Sequence, residues 1–394
     1  MVKCNIKERY IMKEDNYLKT PLDNRVNKSV YLERMVDNVT ASYKIYWFKG
    51  IFEEIMHGNH EICFNVIIAH MISYAWSPII YYHLNLGYND YLTNIINSIY
   101  QNYNLPKDSS EKDIFNFILK CNDDNLFKQL NLLTKYVPTR LIRPFYEKQI
   151  QCYKGAHSLS QHTIGYLVKN LNSIDNDDVL YKLNWRQKSL TVSEQWYLYL
   201  SDNASIINGW INDKLVWYLQ KHNPNVPAIR NKLISPEMNE RNLSKAKKYW
   251  NFVMKNILVR DIYTQNIFDS TNLNIYGGLS IDHFVPWSFV LHNEMWNLCP
   301  TFQKINSSKL DKLPNLNLYL DGFCDLQYQA FIIMKKSGLM PTVLEDYLTL
   351  KSDIFQITNT DNGRDEFEKI LQNTIKPLYQ IALNQGYNIW SCNY

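Results

Sequence analysis

Residues 281–314 read IDHFVPWSFVLHNEMWNLCPTFQKINSSKLDKLP, and the expected fold and chemistry of the chain follow from this stretch. Side chains of successive strand residues point to opposite sides. Asp282 and His283, read as the end of a strand, therefore divide two jobs around one phosphate, with Asp282 binding a metal and His283 facing the attacking water. Further on, Asn306 is read as opening a helix in which Lys309 lies one turn along the same face. Such a helix start offers unpaired N–H groups and positive dipole to an anion. Phosphodiester hydrolysis needs these parts: an oxygen-ligated hard cation, a base of near-neutral pKa, and positive charge for the developing anion.

Working outward, residues 262–290 mix β-formers with Asn- and Gly-rich punctuation, which predicts a hairpin. Downstream, helices are expected over 327–337, 343–350 and 365–384. Upstream, the pattern to about residue 250 is mostly helical with few Gly or Pro breaks. In TASYKIYWFKGIFEEI (40–55), Ile45, Phe48, Phe52 and Ile55 recur at helical spacing, and Thr40 or Ser42 is placed to cap the start. The expected fold class is α+β, predominantly α-helical, with a small ββα finger inserted between helical arms. The expected domains are 1–255, helical and divisible in two, 256–320, the finger, and 321–394, a C-terminal helical region.

Composition sets the frame. The chain has 394 residues, 46% hydrophobic and 20% charged, which is packed globular protein rather than a disordered polyelectrolyte. A net charge of +4 announces no polyanionic partner, so any basic surface must be local. One such segment is 230–260, with Arg230, Lys232, Arg241, Lys245, Lys247, Lys248, Lys255 and Arg260. It reads either as a solvated helix face or as a track for a nucleic-acid backbone. Arg140 and Arg143 are candidates to extend it. The seven cysteines never form a CxxC pair, which argues against a zinc clip or disulfide framework and for a reducing cytoplasm. The charged N-terminus lacks the apolar core of a secretory signal. Residues 64–84 are apolar and long enough to span a bilayer, but two histidines and Pro78 interrupt them, so a buried helix is the expectation.

The motif DH followed by proline, then NL, then NSSK closely resembles the HNH, or ββα-metal, nuclease family, in a layout similar to the HNH domain of RNA-guided CRISPR nucleases. The resemblance implies that Asp282 is the first metal ligand, His283 the general base and Asn297 the middle residue supporting loop and base. It makes Asn306 the last metal ligand and Lys309 a basic residue near the phosphate. The cofactor it implies is Mg2+ or Mn2+. Asn306 stands where the family name has its final histidine, as in many HNN members. The zinc-pinning cysteine pairs of some members are missing, so packing by Trp287, Phe289, Trp296 and Leu298 is expected to replace zinc. The strings SYKIYWFKGIFEEI and HNPNVPAIRNKL are also similar to the arms of uncharacterised bacterial HNH proteins, some of which are suspected in phage defence. Together these imply a metal-dependent endonuclease acting on nucleic acid, with DNA expected, in restriction or antiviral defence. The rival is a non-catalytic nucleic-acid or protein-binding module on the same scaffold.

Other groupings carry less. His57, His60 and Cys63 have a ligand-like look but want a fourth partner. His292 competes with His283 for the base, yet falls in a connecting loop. Asp123 with Asp124, and Asp175 with Asp177 and Asp178, read as turns. Trp287 and Trp296 read as core rather than as base-stacking platforms.

Overall fold

The computed structural model describes residues 29–37, 39–153, 159–174, 178–239, 241–359 and 361–393. Cys4, Asp175, Asp177 and the N-terminal 28 residues lie outside that set. The chain divides into two compact units, one formed by 1–80 with 85–222, the other by 81–84 with 223–394. Most described residues are helical and the sheets are small, so the predominantly helical α+β expectation holds.

In the first unit, α1 (Tyr43–Met56) and α2 (Phe64–Trp76) pack together with α3 (Glu111–Lys120). The α1 stripe is core: Ile45, Trp47, Phe48, Ile51 and Ile55 are buried. The expected Ser42 cap takes a different form. Ser42 makes no side-chain cap; its N–H and hydroxyl both donate to Asp90 Oδ2, at 2.7 and 2.6 Å. Asp90 Oδ1 meanwhile accepts from Leu92 N, so one buried carboxylate ties off two helix starts. Beyond Trp76 the helix continues as a π-helical turn, Ser77–Tyr81, because Pro78 supplies no N–H and the ladder loosens around it. Phe64–Tyr81 is apolar and long enough to cross a membrane, and 83% of it is buried inside the protein. Its apolar faces are thus already packed.

The sheet of this unit was not expected. Strands β1 (Glu61–Cys63), β2 (Tyr181–Asn184) and β3 (Ser189–Val192) form an antiparallel sheet in the order β1-β3-β2. The hairpin between β2 and β3 turns through WRQK with Lys188 at φ +52°. A lysine holds the left-handed position that glycine or asparagine usually marks, so the turn has no sequence signature.

In the second unit, β4 (Leu279–His283) pairs antiparallel with β5 (Leu298–Phe302), with Asp282 opposite Cys299 and His283 opposite Leu298. The hairpin expected within 262–290 is corrected accordingly. Residues 270–276 form a short helix capped by Asp269, whose carboxylate accepts from Asn272 N, and the strand partner of β4 comes only after residue 297. Against this pair pack α4 (Ser244–Asn256) and α5 (Gln303–Lys309), while α6 (Leu316–Ser337) packs with α4 and with α7 (Gly363–Asn384). Strands β6 (Leu313–Pro314) and β7 (Ile389–Trp390) pair in parallel, fastening the end of the finger to the C-terminal segment. Gln327 of α6, fully buried, donates to the carbonyls of Met295 and Leu298 and accepts from the Tyr347 hydroxyl at 2.7 Å. The C-terminal helices therefore brace the strand on which the finger rests.

Candidate nuclease site

The end of β4 places two polar side chains in two different surroundings. Asp282 is 2% exposed. Its Oδ2 accepts from the Tyr263 hydroxyl at 2.6 Å, and Lys309 Nζ lies 3.1 Å from Oδ1 and 3.0 Å from Oδ2. The same ammonium donates to the His283 carbonyl at 2.8 Å. A lysine with no exposed surface survives inside a protein only when its charge and donors are matched; here one carboxylate and one carbonyl match them.

His283 turns the other way. Its Nε2 lies 3.0 Å from Asn293 Oδ1, and its Nδ1 lies 3.2 Å from Arg241 Nη2. Asn293 Nδ2 donates to the Asn242 carbonyl, which orients the amide with its oxygen toward the ring. An amide oxygen can only accept and a guanidinium can only donate. The arrangement therefore assigns the proton to Nε2 and leaves the lone pair on Nδ1. Burial pushes the imidazole well below its usual pKa, and the charges of Arg241 and Lys309 add to that. The ring is neutral at physiological pH.

Asn297 is fully buried and acts as a staple. Its Oδ1 accepts from Val285 N at 2.8 Å, its Nδ2 donates to Val285 O at 2.9 Å, and its carbonyl accepts from Phe284 N. The chain is thereby fixed immediately after His283. Asn306 does not open a helix; α5 begins three residues earlier, at Gln303, and Lys309 is its last residue. The anion site expected at a helix start beside Asn306 is corrected for that reason. Instead Asn306 faces β4, donating through Nδ2 to Ser280 Oγ at 2.8 Å and to Ile281 O at 3.2 Å. Among the described residues no donor takes its Oδ1.

The donor set suits a loosely held hard cation. A carboxylate offers about four lone-pair positions, and Tyr263 and Lys309 engage three of those on the buried Asp282; Asn306 Oδ1 is an amide oxygen of the kind such ions accept. Among the described residues no group of three or more His, Cys, Asp or Glu could hold a metal. Water and phosphate oxygens would have to complete the shell, as is usual for Mg2+.

The basic segment resolves into individuals. Lys245, Lys247, Lys248 and Lys255 lie on the exposed face of α4, whose other face buries Tyr249, Trp250 and Val253. Lys247 lines a cleft of about 680 Å3 together with Arg241, Ser244, Ser280 and Asn306. Lys245 sits near the carboxylate of Asp346. Arg260 is exposed and donates to the Gln265 carbonyl of its own turn. Lys232 is not surface at all: it is fully buried, donating to the carbonyls of Pro227 and Phe289.

Trp296 is buried, with its N–H on Thr349 Oγ1 at 2.9 Å, and Phe289 and Leu298 are core; Trp287 is half-buried. His292 accepts from Glu294 N and lies against Trp296; burial pushes its pKa down to about 4. His60 stacks on Tyr197, and His57 lies beside Glu53 and Glu54. Asp123 caps the helix 124–132. Sequence reasoning missed Tyr263 and Asn293, since a lone tyrosine and a loop asparagine carry no spacing signal.

Residues 261–315 match the family model described as HNH endonuclease. No curated protein and no solved structure matches the chain. The matched span starts beside Tyr263 and ends at β6, so it takes in Asp282, His283, Asn297, Asn306 and Lys309. Residues 261–315 are thus an HNH endonuclease-family segment, and the HNH assignment of this chain rests on them.

Proposed function

We propose that this protein is a divalent-metal-dependent endonuclease that hydrolyses phosphodiester bonds of nucleic acid, with DNA as substrate, and that it serves restriction or antiviral defence in the cytoplasm. The observation that carries the reading is the placement of Asp282, His283 and Asn306 around one strand end inside the HNH-family span. Asp282 and Asn306 would hold Mg2+ or Mn2+ through oxygen atoms alone. Such an ion, when bound, polarises the scissile phosphate and offsets its developing charge. His283 accepts the proton of the attacking water at Nδ1, while Asn293 holds the proton on Nε2 and so fixes the tautomer. Asn297 keeps the backbone after His283 rigid, which holds the ring in register with the phosphate. Lys309 positions Asp282, and exposed Lys247 and Lys255 follow the substrate backbone.

A second reading has one observation in its favour: the Lys309 ammonium already neutralises Asp282. On that reading the finger is a scaffold that binds nucleic acid or protein without cutting. One experiment separates them. Purified protein is incubated with supercoiled DNA, single-stranded DNA and RNA, each with Mg2+, Mn2+ or chelator. Metal-dependent cleavage of at least one substrate, abolished by chelation without unfolding, supports the nuclease; intact substrates in every arm support the scaffold.

A further inference from the structure

Arg241 has a position that a general backbone contact does not explain. Its side chain is exposed, yet its guanidinium lies on Nδ1 of His283 at 3.2 Å, the one imidazole atom with a lone pair. Among the described residues no carboxylate pairs with Arg241. It also lines the open cleft that contains Lys247, Ser280 and Asn306. A guanidinium prefers two parallel bonds to a phosphate over one bond to a neutral ring nitrogen, because the phosphate returns both charge and geometry. While Arg241 stays on Nδ1, His283 has no free position at which to accept a proton.

We propose that Arg241 is a substrate-operated latch on the base: a backbone phosphate entering this cleft draws the guanidinium off His283 Nδ1 and so frees the imidazole only when nucleic acid is in place. Lys247, on the first turn of α4 and open to the same cleft, supplies the second positive charge. The inference rests on His283 being the base, and it makes Arg241 a substrate-binding residue that also gates the base. The ligand is a phosphodiester, which DNA and RNA both provide.

The test is a binding cycle with the full chain in chelator, so that no cleavage is needed. Labelled single-stranded DNA, duplex DNA and RNA oligonucleotides of one sequence are titrated by fluorescence anisotropy against wild type, Arg241→Ala, His283→Ala and the double variant. The strand type bound most tightly identifies the source of the phosphate. Arg241→Ala should weaken binding about tenfold, the loss of one charge-assisted contact, and reduce the salt slope by about one. His283→Ala should bind several-fold more tightly than wild type, because the guanidinium no longer has to leave the ring. That gain should vanish when Arg241 is alanine. If His283→Ala lowers the thermal midpoint, His283→Leu, which fills the space without offering an acceptor, replaces it in the cycle.

Equal affinity of His283→Ala and wild type, a gain that persists without Arg241, or failure of wild type to bind any of the three oligonucleotides would overturn the latch. An inactive protein with the predicted coupling would keep the phosphate-displaced contact between Arg241 and His283 but remove the nuclease reading and, with it, the base that the contact is proposed to latch; an active nuclease without the coupling would keep the nuclease reading and overturn the latch. In an active enzyme, Arg241→Ala should raise KM about tenfold with kcat changed by less than about threefold. A fall in kcat at constant KM would instead place Arg241 on the base during the reaction.

Discussion

Asp282 and His283 are adjacent on β4, but the two sides of the strand are built differently. On the Asp282 side every neighbour is fixed: Tyr263 and Lys309 are both buried, and α5 delivers the lysine from within the finger. On the His283 side the partners are an exposed arginine and a half-buried loop asparagine. The carboxylate is therefore part of the packed fold, and its geometry persists without substrate. The imidazole, itself buried, is held by side chains that reach the surface. A hydrolytic site needs both properties, a rigid ligand and a base whose partner can leave.

The largest effect should come from breaking the fixed side. Lys309→Met leaves an uncompensated buried carboxylate and should destabilise the protein by about 3–5 kcal/mol, read from urea unfolding. Millimolar Mg2+ should restore more of that loss in the variant than it adds to wild type, because the cation then takes over the charge that Lys309 balanced. A loss under about 1 kcal/mol would mean that the Asp282 side is no more fixed than the His283 side.

Asn297→Ala comes next. It strips both partners from the buried Val285 peptide groups and should cost about 2–4 kcal/mol, with cleavage falling further than stability alone accounts for. Unchanged stability would show that the loop after His283 does not depend on the staple.

The pH profile of activity reports on the histidine side. As the proposed base, His283 would act when neutral, and burial with Arg241 and Lys309 lowers its pKa, so kcat/KM should stay level as pH falls to about 6.5 and drop only well below it. The same direction governs stability: the unfolded chain takes up the proton first, so His283 weakens the fold as pH falls below about 6.5. Removing Arg241 should move the acid limb of the activity profile upward. An acid limb above pH 6.5 in wild type would contradict the buried, arginine-faced ring.

The smallest contrast lies on α4. Lys247→Glu should shift the salt slope of binding by more than about one, whereas Lys245→Glu, beside Asp346, should shift it less. Equal shifts would return both lysines to an undifferentiated solvated face.

The motif residues were legible because chemistry fixes their types and a strand-loop-strand-helix path fixes their spacing. Their surroundings were not. Tyr263 reaches Asp282 from 19 residues away, and Arg241 reaches His283 from 42; such contacts depend on packing that no local pattern encodes. The helical class was readable from apolar periodicity, as the buried stripe of α1 illustrates. The sheet of the first unit escaped because its turn carries lysine at positive φ, and the helix start was misplaced at Asn306 because Phe302, at the cap of α5, makes no side-chain cap. Lys232 reads as a surface cation because sequence alone does not distinguish a lysine whose ammonium is met by two carbonyls from one in water.

If cleavage resides at the end of β4, single-turnover cleavage by wild type, Asp282→Ala, His283→Ala and His292→Ala will separate that strand end from the rest of the molecule. His283→Ala should lose about 10²–10⁴-fold in rate while keeping its fold. Asp282→Ala should lose activity that added metal partly restores, and His292→Ala should cut at close to the wild-type rate. Wild-type cleavage by both Asp282→Ala and His283→Ala would contradict that location, placing the activity outside the HNH segment.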